Sequence, residues 1–174
     1  MYFPALHRQN TAVNWSVDKC HGPQTLSFPQ QHALYKELPV LFKLDPHVNV
    51  YLLKTAVERM FDVHPELKCV IQLHEGAYKN FRKDDRKVDI PLITLSDAQW
   101  EETRKGLLRP YMYTENEPLY HAGIYMTESA NYLFLDIAHI MGDGMTMNVL
   151  FEDIMLFMQE SRWKRRNIHF TSIF

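Results

Sequence analysis

Between Tyr132 and Glu160 the apolar pattern changes from that of a strand to that of a helix across one short turn, and this change constrains the fold most. Tyr132 to Ile137 is an apolar run of strand length. Met145 to Glu160 places Val149, Leu150, Ile154, Phe157 and Met158 at helical spacing. Its Met-rich stripe reads as core packing rather than a cofactor box. The joint between the two is Ala138-His139-Ile140-Met141-Gly142-Asp143-Gly144. A side chain at the end of a sheet strand is held rigidly and can still face a cleft. Gly142 and Gly144 permit a sharp turn and a close backbone approach. Asp143 is placed to cap the helix N-terminus and to hold a cationic neighbour.

The remaining elements follow from periodicity and breakers. The first 25 residues carry no clear period and read as an irregular arm, with residues 26–174 as one domain. A short helix is expected over Gln30–Glu37, followed very tightly by a strand over Pro39–Leu44. An amphipathic helix spans Val48–Val63, with Leu52, Leu53, Ala56, Val57 and Met60 on one side, and Pro65 marks its end. Strands are expected over Leu67–His74 and Tyr78–Phe81 around the turn at Gly76, and again over Val88–Leu95. Ser96 is the expected N-cap of a helix over Asp97–Leu108. Leu119–Met126 and Tyr132–Ile137 form neighbouring strands about a polar turn at residues 127–131. This order predicts an α/β (α+β) fold, with helices packed on a mixed β-sheet.

Composition sets bounds on partners. With 46% apolar and 23% charged residues, the chain has the make-up of an ordinary globular protein. A net charge of −2 gives no electrostatic case for nucleic acid or an acidic membrane. The basic cluster Arg162, Lys164, Arg165 and Arg166 reads as a solvated helix end. No run approaches the ~18 apolar residues that span a bilayer, and the first residues are not a secretory signal. Cys20 and Cys69 form neither a disulfide framework nor a CxxC pair. A cytoplasmic protein is therefore expected.

The chemistry is carried by His139 and Asp143. A chance match to H-x-x-x-D-G is expected about 0.02 times in a chain of this composition. Two readings of the residues stand: a histidine poised for catalysis at a strand-to-helix turn, and a core histidine beside a capping aspartate. A metal site is weaker, because no third ligand lies near in sequence. A Ser-His-Asp hydrolase is weaker still, for want of a G-x-S-x-G elbow.

The motif resembles the HHxxxDG signature of condensation domains from nonribosomal peptide synthetases, in the chloramphenicol acetyltransferase-like superfamily. Three further segments agree in order. Ser27-Phe28-Pro29-Gln30-Gln31-His32-Ala33-Leu34 is similar to the family's SxAQxRLW. Val63-His64-Pro65-Glu66-Leu67-Lys68 resembles RHxxLR. Pro110-Tyr111 through Glu117-Pro118-Leu119-Tyr120 resembles its "PF…PL" stretch. Ala138 stands for the first His of the signature, Val63 for the leading Arg of the second motif, and Lys68 for its closing Arg. The family pairs an arginine of that motif with the Asp of the signature. The resemblance therefore implies a looser Lys68–Asp143 pair, since an ammonium cannot form a bidentate fork.

The resemblance implies the N-terminal lobe of a two-lobed domain, a chloramphenicol acetyltransferase-like half-domain that needs a C-terminal lobe to complete its tunnel. It implies amide-bond formation in secondary metabolite biosynthesis, between donor acyl and acceptor aminoacyl thioesters. Each would be carried on the phosphopantetheine arm of a carrier protein. The catalytic residue would be His139, as base or as positioning group. Asp143 would be structural, and Gly144 would leave room for substrate at the helix N-terminus. No intrinsic cofactor and no metal is implied, and the lobe alone is expected to be inactive. A coenzyme A-dependent acetyltransferase of the same superfamily is the first rival, because His64-Pro65-Glu66-Leu67-Lys68 also matches its H-P-E-[FL]-[RK] segment. The histidine of those enzymes, however, lies close to the C-terminus. An epimerisation domain shares the signature. A heterocyclisation domain is disfavoured, because it requires Asp where Ala138 stands. A non-catalytic domain that docks a carrier protein or partner domain is the rival from another class.

Overall fold

The computed structural model describes residues 24–25, 38–83, 85–109, 115–160 and 171–172. The helix expected over Gln30–Glu37, the segment Ser27–Leu34, Pro110-Tyr111, Cys20 and the basic cluster at 162–166 lie outside the described residues. So does most of the N-terminal arm.

In chain order the elements are β1 (Gln24–Thr25), β2 (Val40–Lys43), α1 (Val50–Val63), a 3-10 turn (Pro65–Lys68), β3 (Val70–His74), β4 (Ala77–Phe81), β5 (Leu92–Thr94), α2 (Asp97–Leu107), β6 (Tyr120–Met126), β7 (Asn131–Ile137), α3 (Gly144–Glu160) and β8 (Thr171–Ser172). They make a five-stranded sheet in the order β5-β6-β7-β2-β8 and a three-stranded sheet in the order β1-β4-β3. β5 runs parallel to β6, while β6, β7, β2 and β8 pair antiparallel, so the larger sheet is mixed as expected.

Local chemistry sets the element ends. Asn49 begins α1 by accepting the amides of Tyr51 and Leu52 at 3.0 and 3.2 Å. Ser96 caps α2 through a reciprocal capping box with Gln99, where the sequence places it. Two expectations need correction. The strand expected from Leu67 begins only at Val70, because Leu67 and Lys68 belong to the 3-10 turn that Pro65 opens. Proline fixes φ for such a turn, and the Cys69 amide closes it on the Glu66 carbonyl at 3.4 Å. The strand expected over Val88–Leu95 shrinks to Leu92–Thr94. Side chains of α1 claim the backbone just before it: Glu58 accepts the Ile90 amide and Lys54 donates to the Ile90 carbonyl. Pro91 has no amide to offer a ladder.

The main core lies between one face of the larger sheet and the packed helices α1 and α3. Leu133, Leu135 and Ile137 of β7 meet Leu53, Val57, Met60, Phe61, Leu150 and Ile154 there. On the opposite face Phe134 joins Leu41, Tyr125 and Trp100 of α2. Successive residues of a strand point to opposite faces, so β7 is buried on both and reads as a continuous apolar run. Asp136 interrupts that run and is itself buried. A third cluster, Cys69, Ile71, Leu119, Ala138 and Ile140, ties β3 to the end of β7. It fixes the point where the chain leaves the sheet.

Candidate active site

The site is built at that exit. The amide of Ala138 donates to the Leu119 carbonyl at 2.9 Å, and the amide of Met141 donates back to the Ala138 carbonyl at 2.8 Å. Residues 138–141 thus close a tight turn directly after β7. Ala138 and Ile140 anchor it in the third cluster, at 1% and 4% exposure, while His139 between them stays half-buried. Burial of its neighbours fixes the backbone of His139 without enclosing the imidazole. Leu119 is the closing residue of the "PL" stretch, so two separate motifs meet in one backbone hydrogen bond.

The imidazole is oriented by the loop that follows. His139 Nδ1 lies 2.6 Å from the Gly142 carbonyl oxygen. A carbonyl oxygen can only accept, so Nδ1 carries the hydrogen. In the neutral ring the lone pair is then on Nε2. Among the described residues Nε2 has no hydrogen-bond partner.

Asp143 caps α3. Its Oδ1 accepts the amides of Met145 and Thr146, each at 3.0 Å, and its carbonyl accepts the Met147 amide at 3.1 Å. The amide and then the hydroxyl of Thr146 hold the carboxyl below the usual carboxylate range, with a smaller contribution from the charge of His139. Asp143 is exposed, so no cation is required to offset burial.

Lys68 does not reach it. Its ammonium is buried beside Asp62 at the end of α1, with Nζ 2.6 Å from Asp62 Oδ1. The pair implied between Lys68 and Asp143 is therefore replaced by two separate devices, an ion pair within α1 and its turn and a cap at α3. The second-motif histidine instead provides the link to α3: His64 Nε2 lies 2.6 Å from Asp153 Oδ2, and Nδ1 lies 3.1 Å from Glu66 Oε1.

The two glycines differ. A Cβ on Gly142 would lie 2.6 Å from Thr146 Cγ2, whereas one on Gly144 would meet nothing within 4 Å. Neither has a positive φ, so close approach at Gly142 is the steric demand. Gly144 is the first residue of α3 and faces open space.

Three further groups carry little or no signal in the sequence. Thr146 stands three residues after its cap Asp143, and the spacing of a capping box is the one signal it carries. Asp153 shows none, being one more acidic residue on a helix. Asp136 accepts the Leu38 amide at 3.1 Å and stands opposite His121 in the β6–β7 register. Burial holds the His121 imidazole below its ordinary value. An open groove along α3 is lined by Asn148, Phe151, Glu152, Met155, Leu156 and Gln159, and His139 does not line it. Among the described residues no group of three His, Cys, Asp or Glu could hold a metal ion, and no helix is long and apolar enough to cross a membrane.

A strand end, a tight turn bearing a half-buried histidine and a helix capped by Asp143 coincide with a family pattern. A condensation-domain model matches residues 25–169. The chain belongs to the condensation-domain family. The condensation-domain chain is 26% identical over 117 residues to a plipastatin synthase polypeptide of Bacillus subtilis, covering 57% of the chain and 5% of that protein. It is 32% identical over 115 residues to nonribosomal peptide synthetase 4 of Gibberella zeae, covering 63% of the chain and 2% of that protein. It thus spans only a small part of the length of these relatives. Its fold matches the epimerization domain from the third module of tyrocidine synthetase B with a TM-score of 0.67 at 18% identity. That match covers 80% of the chain and 35% of the solved structure, so the condensation-domain chain spans about a third of that structure.

Proposed function

We propose that this chain is the N-terminal lobe of a condensation domain that forms an amide bond between a donor acyl thioester and an acceptor aminoacyl thioester. Each substrate would arrive on the phosphopantetheine arm of a carrier protein, and the C-terminal lobe would close the tunnel between them. The observation that carries the reading is the geometry of His139: Nδ1 is engaged by the Gly142 carbonyl and Nε2 is left as an acceptor. The acceptor amine attacks the donor carbonyl, and Nε2 takes a hydrogen bond from that amine, orienting it or accepting its proton. The nitrogen–carbon bond forms, the carbon–sulfur bond breaks, and the donor thiol leaves with a proton. Asp143 and Lys68 act structurally, the first by capping α3 and the second by fastening the turn after α1. Gly144 keeps the face at the start of α3 open to substrate. A cytoplasmic setting suits carriers loaded with thioesters.

Substrate supply distinguishes this reading from its rivals. The full-length synthetase carrying this lobe is offered loaded donor and acceptor carrier proteins in one arm, and acetyl-coenzyme A with a free amine in the other. Dipeptidyl thioester in the first arm alone supports condensation. Acetyl transfer in the second arm would replace it with an acetyltransferase. Carrier binding without product in either arm would replace it with a docking domain.

A further inference from the structure

We propose that Thr146 is a positioning residue for His139: it fixes the peptide plane between Gly142 and Asp143, and that plane sets which imidazole nitrogen is free to accept a proton. The catalytic consequence rests on the role proposed for His139; the geometry does not.

One peptide group joins the two side chains. The Gly142 carbonyl and the Asp143 amide belong to the same planar unit and turn together. At one end the carbonyl oxygen accepts the Nδ1–H of His139 at 2.6 Å. At the other end the Asp143 amide donates to Thr146 Oγ1 at 3.1 Å. The Thr146 hydroxyl in turn donates to Asp143 Oδ1 at 3.2 Å, and the Thr146 amide donates to the same oxygen at 3.0 Å. The hydroxyl is therefore used both as donor and as acceptor and cannot rotate away without losing one of them. Hydrogen bonds at the two ends of one amide also polarise each other, so the Thr146 contact strengthens the acceptor that His139 uses.

Packing points the same way. The Thr146 side chain sits directly on Gly142, where an added Cβ would lie 2.6 Å from Cγ2 and 2.7 Å from Oγ1. The plane is thus held by a hydrogen bond on its amide edge and by contact on the preceding α-carbon. Rotation of that plane would withdraw the carbonyl from Nδ1. The ring would then be free to carry its hydrogen on Nε2, the nitrogen that must accept.

The test reads the tautomer directly, without carriers or substrate. The chain is labelled with 15N-histidine, and two-bond nitrogen–proton correlations are recorded on the neutral His139 ring. The wild type is expected to be the Nδ1–H form. Thr146→Val keeps the shape and removes the hydroxyl, and it is expected to shift the ring toward Nε2–H. Thr146→Ser restores the hydroxyl and is expected to return the wild-type tautomer. Should Thr146→Val not fold, Thr146→Ala is read in the same way. A wild-type ring in the Nε2–H form would overturn the proposal, as would a hydroxyl-free variant that keeps Nδ1–H. Absence of amide formation in the parent synthetase, with the tautomers as expected, would instead count against the catalytic role of His139 alone.

Discussion

Lys68 Nζ lies 2.6 Å from Asp62 Oδ1, and this contact fastens the 3-10 turn of the second motif to the last turn of α1. The ammonium is buried while Asp62 is largely exposed, so the pair is screened on one side. Asp62→Asn is expected to lower stability by about 1 kcal/mol in urea denaturation. Lys68→Met should cost less than that, because it removes the buried charge along with its partner contact. A double-mutant cycle between Lys68 and Asp143 should show no coupling. Measurable coupling would restore the direct pair that the structure replaces.

Gly142 and Gly144 should respond oppositely to alanine. At Gly142 the new Cβ meets the Thr146 side chain at 2.6 Å, and Gly142→Ala is expected to cost about 1–3 kcal/mol. Gly144 opens α3 into free space, so Gly144→Ala should leave Tm unchanged or raise it slightly. Thermal unfolding of the two variants makes the comparison. Loss of amide formation by Gly144→Ala at unchanged Tm would mark that open face as the substrate's path.

Asp143 should make the start of α3 acid-sensitive. Its carboxyl is held below its ordinary value by the Thr146 amide and hydroxyl. A depressed carboxyl contributes stability that is present above the unfolded value, near ~3.9, and is lost as pH falls through the folded one. Hydrogen exchange of the Met145 and Thr146 amides is expected to accelerate in Asp143→Ala. In Asp143→Asn, which keeps the acceptor and loses the charge, exchange should stay slow and lose its dependence on this titration.

His121 should act at higher pH. Its folded value is lowered by burial, so the unfolded chain binds the proton more readily. Its contribution is complete above the unfolded value near ~6.5 and declines as pH falls from there toward the folded one. Asp136 stands opposite it in the sheet. Stability measured from about pH 7.5 down to about pH 5.5 is expected to fall, and His121→Gln should flatten the decline.

The elements legible in the sequence are those whose signals are local. The helices α1, α2 and α3 and the hairpin of β6 and β7 lie within a residue or two of their expected ends, because periodicity and the Ser96 cap act over a few residues; the Asn49 cap starts α1 two residues later than its apolar pattern suggests. The strand expected over Val88–Leu95 is shortened because Lys54 and Glu58, far away in sequence, claim the backbone of Ile90. At the site, His139 and the capping role of Asp143 can be read from one motif. The partner of Lys68 cannot, because charge alone does not say which of several carboxylates folding will bring near. Nor can the ties of His64 to Asp153 and of Ala138 to Leu119, which are products of packing between elements distant in the chain.

Single-turnover dipeptidyl thioester formation in the full-length synthetase carrying this lobe decides whether His139 acts on the acceptor amine as proposed. Loaded carrier proteins are used with the wild type and with His139→Ala. The substituted protein is expected to bind both carriers as the wild type does, and to form product about 10²–10⁴-fold more slowly, the usual contribution of a positioned acid–base group. A His139→Ala protein that forms the dipeptidyl thioester at the wild-type rate would show that His139 takes no part in the reaction.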